Sequence, residues 1–389
     1  MKRDWKTSTI ENVCDVLTDG NWIESKDQSD CGIRLVQTGN VGFGVYKDKD
    51  DKARYISTET LHRLNCTEIY EGDILVSRLP EPVGRACIVP NTGDRMITSV
   101  DCSIIRLNKE MISPFFIYYS CSRRYYQAIA RYITGAVRKR ISRSNLSLVS
   151  IPVPPLEEQE RIVEELDCLR GIIDKKKAQL TELDNLAKSI FYEMFGDPIT
   201  NEKGWEMHPL KDVAEIVGGS TPKTNIAEYW KGNNYWVTPA ELHGNHYISK
   251  TERCISDEAV KKTNLSLLPV GTILLSSRAP IGKVSITKVP MYSNQGFKSV
   301  ICSNKLNNEY VYHLLLYKTS FLNALGTGAT FKEISKSTTE KIRIAVPPRE
   351  LQNKFAQCSV SIEAQKELIK KSIAETEVLF NSRMDYYFN

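Results

Sequence analysis

The sequence predicts an α+β protein: two mixed α/β domains joined by two long helices that pack as an antiparallel coiled coil. Three observations carry this. The stretch GAVRKRIS…IPVPPLEEQ (135–159) returns as GATFKEIS…IAVPPRELQ (328–352), every matched position 193 residues from its counterpart and without a gap. Nearer the start of each half the interval is about 200, as in Trp5 with Trp205 and Ser77-Arg78 with Ser277-Arg278. Each half also carries short β-type runs followed by helical spacing. After each repeated proline pair, an apolar seam then recurs in steps of three and four for longer than a surface helix requires.

Residues 1–155 form the first domain. DILVS (73–77), ACIV (86–89) and CSIIRL (102–107) are β-rich runs bounded by Gly, Pro or Asp, and helical spacing follows from Pro114 to about Ala130. Residues 156–200 hold the first long helix. Its seam is Leu166, Leu169, Ile173, Leu180, Leu183, Ala187, Ile190 and Met194, with Lys176 the one polar interruption. Pro154-Pro155 suit a helix start because no N–H is left unsatisfied there, Glu157 and Glu158 complement its positive end, and Gly196-Asp197-Pro198 stop it. Residues 201–348 form the second domain, with TILLSS (272–277), KVSIT (283–287) and KSVIC (298–302) as strands and helix from Glu309 to about Leu325. Residues 349–389 form the second long helix. Its seam is Leu351, Phe355, Cys358, Ile362, Ile369, Ile373 and Phe380, with a step near Lys366 that breaks the heptad. Two apolar seams left in water are costly, and burying them against each other, antiparallel, sets the two domains at opposite ends of a spacer.

Composition narrows the function. A chain that is 41% hydrophobic and 25% charged has the balance of a soluble globular protein. No run of roughly 18 apolar residues offers a membrane span and the N-terminus has no apolar signal core, so cytoplasm is the expected compartment. The ten cysteines form no CxxC pair and read as reduced, mostly buried small hydrophobes. Between Glu110 and Glu157 no acidic residue occurs, while Arg123, Arg124, Arg131, Arg138, Lys139, Arg140 and Arg143 interleave with Tyr118, Tyr119, Tyr125, Tyr126 and Tyr132. Such a cationic, aromatic strip suits a polyanion, with a solvated basic face or an acidic protein partner as alternatives.

The motifs of catalysis are missing. There is no phosphate loop, since Gly282-Lys283 runs on into Val284, and no HExxH, GxSxG or glycine-rich cofactor turn. His243-x-x-His246 lies in a Gly/Asn-rich segment without a matching carboxylate or cysteine pattern and reads as a loop pair, so no metal ligand and no catalytic residue is assigned. These absences together favour a binding protein.

At this point the residues resemble the specificity subunits of type I restriction-modification systems. The likeness rests on GIRLVQTGNVGFG (32–44) in the first half and WVTPAEL (236–242), LLPVGTILLSSRAPIG (267–282) and NQGFKS (294–299) in the second. The paired junctions IPVPPLEEQERIV and IAVPPRELQNKF, and LAKSIFYEMFGDP closing the first helix, belong to the same pattern. The first domain departs from the second, with SRLPEPVGRA (77–86) in place of SSRAPIGKV and no NQGFKS counterpart. The resemblance implies two target recognition domains and a non-catalytic, DNA-binding subunit of a type I restriction-modification complex. It implies double-stranded DNA and two modification (methyltransferase) subunits as partners, with restriction subunits possible. S-adenosylmethionine, ATP and Mg are then expected on those partners and no cofactor on this chain. The alternative is a catalytic chain, a fused restriction enzyme or adenine methyltransferase; a third reading is a coiled-coil scaffold without DNA.

In a DNA reader, affinity comes chiefly from cations on phosphates and specificity from side chains at base edges. Residues shared by the halves cannot tell two half-sites apart, so Arg78 with Arg278 and Lys139 with Lys332 are assigned to phosphate contact or scaffold. Arg85, Arg123, Arg124, Arg138, Arg140, Arg143 and Lys283 join them. Base-reading candidates are Lys223, Asn225, Trp236, Thr238 and Gln295 in the second domain and Asn21, Trp22, Gln37 and Asn40 in the first. Gln and Asn match adenine, and Lys or Arg matches guanine. Glu157, Glu158, Gln159, Arg161, Glu350 and Gln352, at the starts of the long helices, are candidates for partner docking. Two readers at fixed separation select two short half-sites about one helical turn, roughly 34–36 Å, apart.

Overall fold

The computed structural model describes residues 5–278, 280–327 and 332–389. The chain divides into two units, Met1–Lys175 with Ile373–Asn389, and Lys176–Ser372.

In the first unit, strands β1 (Lys6–Thr9), β2 (Cys14–Asp19), β3 (Ile33–Val36) and β4 (Tyr55–Ile56) precede helix α1 (Thr58–Arg63). Strands β5 (Glu68–Ile69), β6 (Ile74–Ser77), β7 (Ala86–Ile88), β8 (Met96–Thr98) and β9 (Cys102–Leu107) lead to helices α2 (Ser113–Ser120), α3 (Arg123–Ala130) and α4 (Arg143–Ser147), strand β10 (Ser150–Val153) and the first half of the long helix α5 (Leu156–Phe195), which continues into the second unit after Lys175. One sheet has the order β2-β9-β6-β7, a second β4-β3-β8-β5, and β10 returns to pair with β1, Val153 opposite Lys6. The β-runs read from the sequence are β6, β7 and β9. The expected single helix is two, because Ser122 interrupts it and its side chain caps α3 by accepting from the Tyr125 N–H at 3.1 Å.

The second unit repeats this plan with β11 (Met207–Pro209), β12 (Ala214–Gly218), β13 (Asn234–Val237), β14 (Tyr247–Ile248), β15 (Arg253–Ile255), α6 (Asp257–Thr263), β16 (Ile273–Leu275), β17 (Val284–Thr287), β18 (Tyr292–Ser293) and β19 (Lys298–Cys302). Helices α7 (Asn308–Tyr317), α8 (Thr319–Leu325) and α9 (Lys336–Glu340), strand β20 (Arg343–Ala345) and the first part of the long helix α10 (Arg349–Phe388), which passes into the first unit after Ser372, complete it. The order β12-β19-β16-β17-β14 extends the four-stranded sheet of the first unit by one strand, and β11 pairs with β20 as β1 does with β10.

Each long helix has 40 residues, about 60 Å at ~1.5 Å per residue. In the first unit the start of α5 meets the end of α10: Ile162, Val163 and Leu166 share a core with Met384, Tyr387 and Phe388. In the second unit the end of α5 meets the start of α10, with Phe191 and Phe195 packed against Phe355. The two helices therefore run antiparallel. The α5 seam is its least exposed face, whereas on α10 Cys358 is exposed and Ser359 and Glu363 are buried instead. The heptad break near Lys366 is thus a buried polar patch.

Two further expectations are corrected. Only Cys87 and Cys102 are buried; Cys31, Cys168 and Cys358 are exposed and the other five lie between, because Cys168 and Cys358 fall on helix faces outside the seam. Three of the five tyrosines of the cationic strip are not a surface feature either, as Tyr118, Tyr119 and Tyr125 fill the first core while Tyr126 and Tyr132 are half-buried against it. Among the described residues no helix is long and apolar enough to cross a membrane.

Candidate nucleic-acid interface

The repeated GAVRKRIS segment folds as a closed loop. Thr134 and Arg140 exchange backbone hydrogen bonds of 2.8 and 2.9 Å, and Val137 at the tip is fully exposed. Gly135 holds φ +97°, and a Cβ there would come within 2.4 Å of the Arg138 carbonyl oxygen, so the turn requires glycine. Ile141 N–H bonds the Arg78 carbonyl at 3.2 Å, tying the loop to the end of β6, and the Ser142 hydroxyl caps α4. The second half repeats the closure, the tie and the cap. Thr327 and Glu333 exchange bonds of 3.1 and 2.9 Å, Ile334 N–H bonds the Ser277 carbonyl at 2.8 Å, and Ser335 caps α9. The tip of that loop, with Gly328 of the repeat, lies outside the described residues.

The two loops share a backbone plan and differ in charge. Arg123, Arg124, Arg131, Arg138, Lys139, Arg140 and Arg143 are all exposed. No carboxylate among the described residues pairs with their side chains. Where the first loop has Arg140, the second has Glu333, which receives hydrogen bonds from Arg278 at 2.9 Å and Lys298 at 3.3 Å. Burial alone would raise the Glu333 pKa, but those two cations outweigh it and hold the carboxyl below its ordinary range. The first domain therefore presents a bare cationic surface, and the second a neutralised one with Lys332 exposed beside it. Unpaired clustered cations repel one another and attract a polyanion.

Several sequence candidates turn out to be structural. Arg85 is 8% exposed and its guanidinium donates to the carbonyls of Val41 at 2.7 Å, Leu79 at 2.7 Å and Thr38 at 2.8 Å, which makes it scaffold. Arg78 is half-buried and paired with Asp19 at 3.0 Å. Trp236 is in the core, its indole N–H bonded to the Ser220 carbonyl at 3.0 Å, and cannot meet a base edge. Asn40 is buried and holds a turn, accepting from the Gln37 N–H and donating to the Lys47 carbonyl. Asn21 is half-buried and accepts from the Thr67 N–H at 2.8 Å. Thr238 caps a short turn together with Glu241.

Gln159 and Gln352 are wholly buried, which removes them from any docking face. The Gln159 amide accepts from the Ile112 N–H and donates to the carbonyls of Glu110 and Pro154; Gln352 does the same with Asn307, Lys305 and Pro347. Each glutamine ties its domain to its long helix. Arg161 pairs with Glu158 at 2.9 Å, and Glu157 and Glu350 remain exposed.

Trp22, Lys223, Asn225 and Gln295 are exposed, Gln37 and Lys283 half-buried. The Lys223 carbonyl accepts from the Trp230 indole at 3.3 Å, so its loop rests on the core that Trp230 and Trp236 form. One surface residue escaped the sequence reading. Phe43 is 51% exposed, its ring stacked on Tyr126 of α3 at 5.8 Å between centroids. Its signal was an aromatic residue set between two glycines in a loop, beside a helix that begins with Arg123 and Arg124.

Residues 2–185 and 202–378 match the family described as the type I restriction modification DNA specificity domain. The MjaIX specificity subunit of Methanocaldococcus jannaschii is 39% identical over 191 residues, 48% of this chain and 44% of that protein's own length. A second relative from that organism, described as the putative type I restriction enzyme MjaX specificity subunit, is 25% identical over 96% of this chain and 90% of its own. In fold, the chain is similar to the type I S subunit of M. genitalium, with a TM-score of 0.59 at 13% identity over 100% of this chain and 97% of that one. It is also similar to a chain solved in a study of type I R-M complex assembly and conformational transition, with a TM-score of 0.61 at 20% identity over 99% and 97%. With both halves matched and the doubled fold shared, the chain belongs to the type I restriction-modification specificity subunit family.

Proposed function

We propose that this chain is the non-catalytic DNA-reading subunit of a type I restriction-modification complex, recognising a bipartite target with one half-site per domain. The observation that carries the reading is the pair of closed loops on one backbone plan, one bare and cationic, the other neutralised by Glu333. A shared scaffold with divergent surfaces suits one protein that must read two different sequences. Arg123, Arg124, Arg138, Lys139, Arg140 and Arg143 supply phosphate contacts in the first domain, and Phe43 offers an apolar ring to a base step beside them. In the second, Lys223, Asn225 and Gln295 have the donors and acceptors for base edges. The long helices act as the spacer between the half-sites. Two modification subunits dock on the helix starts, where Glu157, Arg161 and Glu350 are exposed, and with restriction subunits they carry S-adenosylmethionine, ATP and Mg.

The test is to map methylated adenines in the source cell with and without this gene. Loss of methylation at one motif of two short half-sites around an unread gap is the expected result. Methylation confined to a single continuous site, or unchanged by the deletion, would refute the proposal.

A further inference from the structure

We propose that the second domain holds a divalent transition-metal site of the zinc type, formed by His246, Glu309 and His313 and closed by α10. The three side chains are buried or nearly so, and their ligand atoms lie within 4.8 Å of one another. His246 precedes β14, and Glu309 and His313 are one turn apart on α7, so their positions rest on sheet and helix rather than on a mobile loop. Two imidazoles and a carboxylate are a common zinc donor set.

The outer contacts are those a metal site needs. A ligating side chain is oriented by a hydrogen bond at its other polar atom, which fixes tautomer and direction. Tyr247 donates to Glu309 Oε1 at 2.7 Å, leaving Oε2 facing inward. His246 Nδ1 lies 3.5 Å from a Glu363 carboxylate oxygen and His313 Nδ1 lies 3.0 Å from the Tyr317 hydroxyl, leaving both Nε2 atoms toward the centre. At that centre stands the Ser359 hydroxyl, 2.9 Å from His313 Nε2 and 2.9 Å from Glu309 Oε2. His246 Nε2 and Glu309 Oε2 share a proton at 2.7 Å; with bonds of about 2.0–2.1 Å a tetrahedral ion needs ligands roughly 3.3 Å apart, so this pair opens as the ion replaces the proton, while wider pairs, all within 4.8 Å, close by up to about 1.5 Å where the serine now bridges. Ser359 or a water completes the coordination. An entry path exists, because His246, His313 and Glu363 form part of the wall of a cleft of about 940 Å³.

The first domain shows that the fold does not require these groups. The junction glutamines match Ile112 with Asn307 and Glu110 with Lys305, which places Pro114 opposite Glu309 and Tyr118 opposite His313. On the long helices the 193-residue interval places the fully buried Leu166 opposite Ser359. A solution without histidine thus serves the same position, with Leu166 packed where Ser359 stands and the Tyr118 hydroxyl donating to Asp167, and apolar replacements of buried charges are often at least as stable. The second half alone gathers two histidines and a carboxylate at this place, a donor set without a counterpart in the first. The sequence set His246 aside for want of a carboxylate, which lies 63 residues further along the chain.

The experiment uses the full chain after exhaustive chelation. Adding Zn²⁺ at about a hundredfold excess over its dissociation constant should raise the melting temperature of the second unit by roughly 5–10 °C. Co²⁺ in its place should give tetrahedral ligand-field absorption without a thiolate-to-cobalt charge-transfer band, which separates this site from the exposed cysteines. His246→Gln and His313→Gln, each checked for native circular dichroism, should abolish both signals, while Ser359→Ala should retain them. Absence of a shift, a thiolate band, or full retention in either histidine variant would overturn the site. Should neither variant fold, the cobalt spectrum of the unaltered chain decides. Neither readout involves DNA, so failure here leaves the proposed function standing.

Discussion

Single side chains divide cleanly into those that hold the fold and those that face outward. Gln159→Ala strands the Ile112 N–H and the carbonyls of Glu110 and Pro154, and buried groups left unpaired cost about 1–3 kcal/mol each, so a loss of at least about 3 kcal/mol is expected in urea unfolding. Gln352→Ala should do the same in the second domain. Replacing Arg138, Lys139, Arg140 and Arg143 together by Ala should instead leave stability nearly unchanged, because all four are exposed. It should weaken duplex binding and flatten its salt dependence by roughly 0.9 in log–log slope for each phosphate no longer neutralised. An unaltered slope would remove these residues from the interface. At this scale the residue order carries chemistry without placement: Arg140 and Glu333 occupy matching positions, yet only the folded loop shows Glu333 reaching Arg278 and Lys298.

Among the elements, the long helices were the most legible, since a seam in steps of three and four sustained over eight positions leaves little else possible. The break near Lys366 became intelligible only with the second domain in place. There Lys366 bridges Glu363 and Asp184 of α5, and His246 sits between Glu309 and Glu363. Burial alone would lower the His246 pKa, but those carboxylates outweigh it and hold it above its ordinary value, while burial drives His313 down to about 3. In the first unit the helices are joined by Arg383 against Glu165, with a second contact of 3.0 Å. The guanidinium hydrogen bond holds the Glu165 carboxyl below its usual value of 4.5. A depressed carboxyl stabilises the fold above its unfolded pKa and loses that contribution as pH falls through the folded one. Thermal unfolding of Glu165→Gln should therefore fall below the parent at neutral pH by up to ~1 kcal/mol, the pair being partly exposed, and the difference should close as pH drops below about 4. A difference constant across that range would show that the ion pair contributes nothing.

In the whole molecule, the long helices should set the spacing between half-sites. One helical turn, about four residues or ~6 Å, inserted into α5 after Leu180 and matched by four residues in α10 after Leu368 keeps the antiparallel seams in register. Mapped methylation sites should then show both half-sites unchanged around a longer gap. The same gap with the same half-sites would mean that the helices do not measure it. The strands β4 and β5 went unread because at two residues each they are too short for any alternation or apolar run to show.

The sequence by itself determined the doubling, the α+β class, the two long helices and the cationic segment, because each is written in local residue order: a fixed interval, a period, a run without acids. Tertiary structure decided which polar residues are free. Gln159, Trp236 and Asn40 look like ligands in a string of letters and prove to be fasteners, while His246, Glu309 and His313, scattered along the chain, come together in one buried cluster. Burial and hydrogen bonding depend on neighbours distant in sequence, and only the packed fold supplies them.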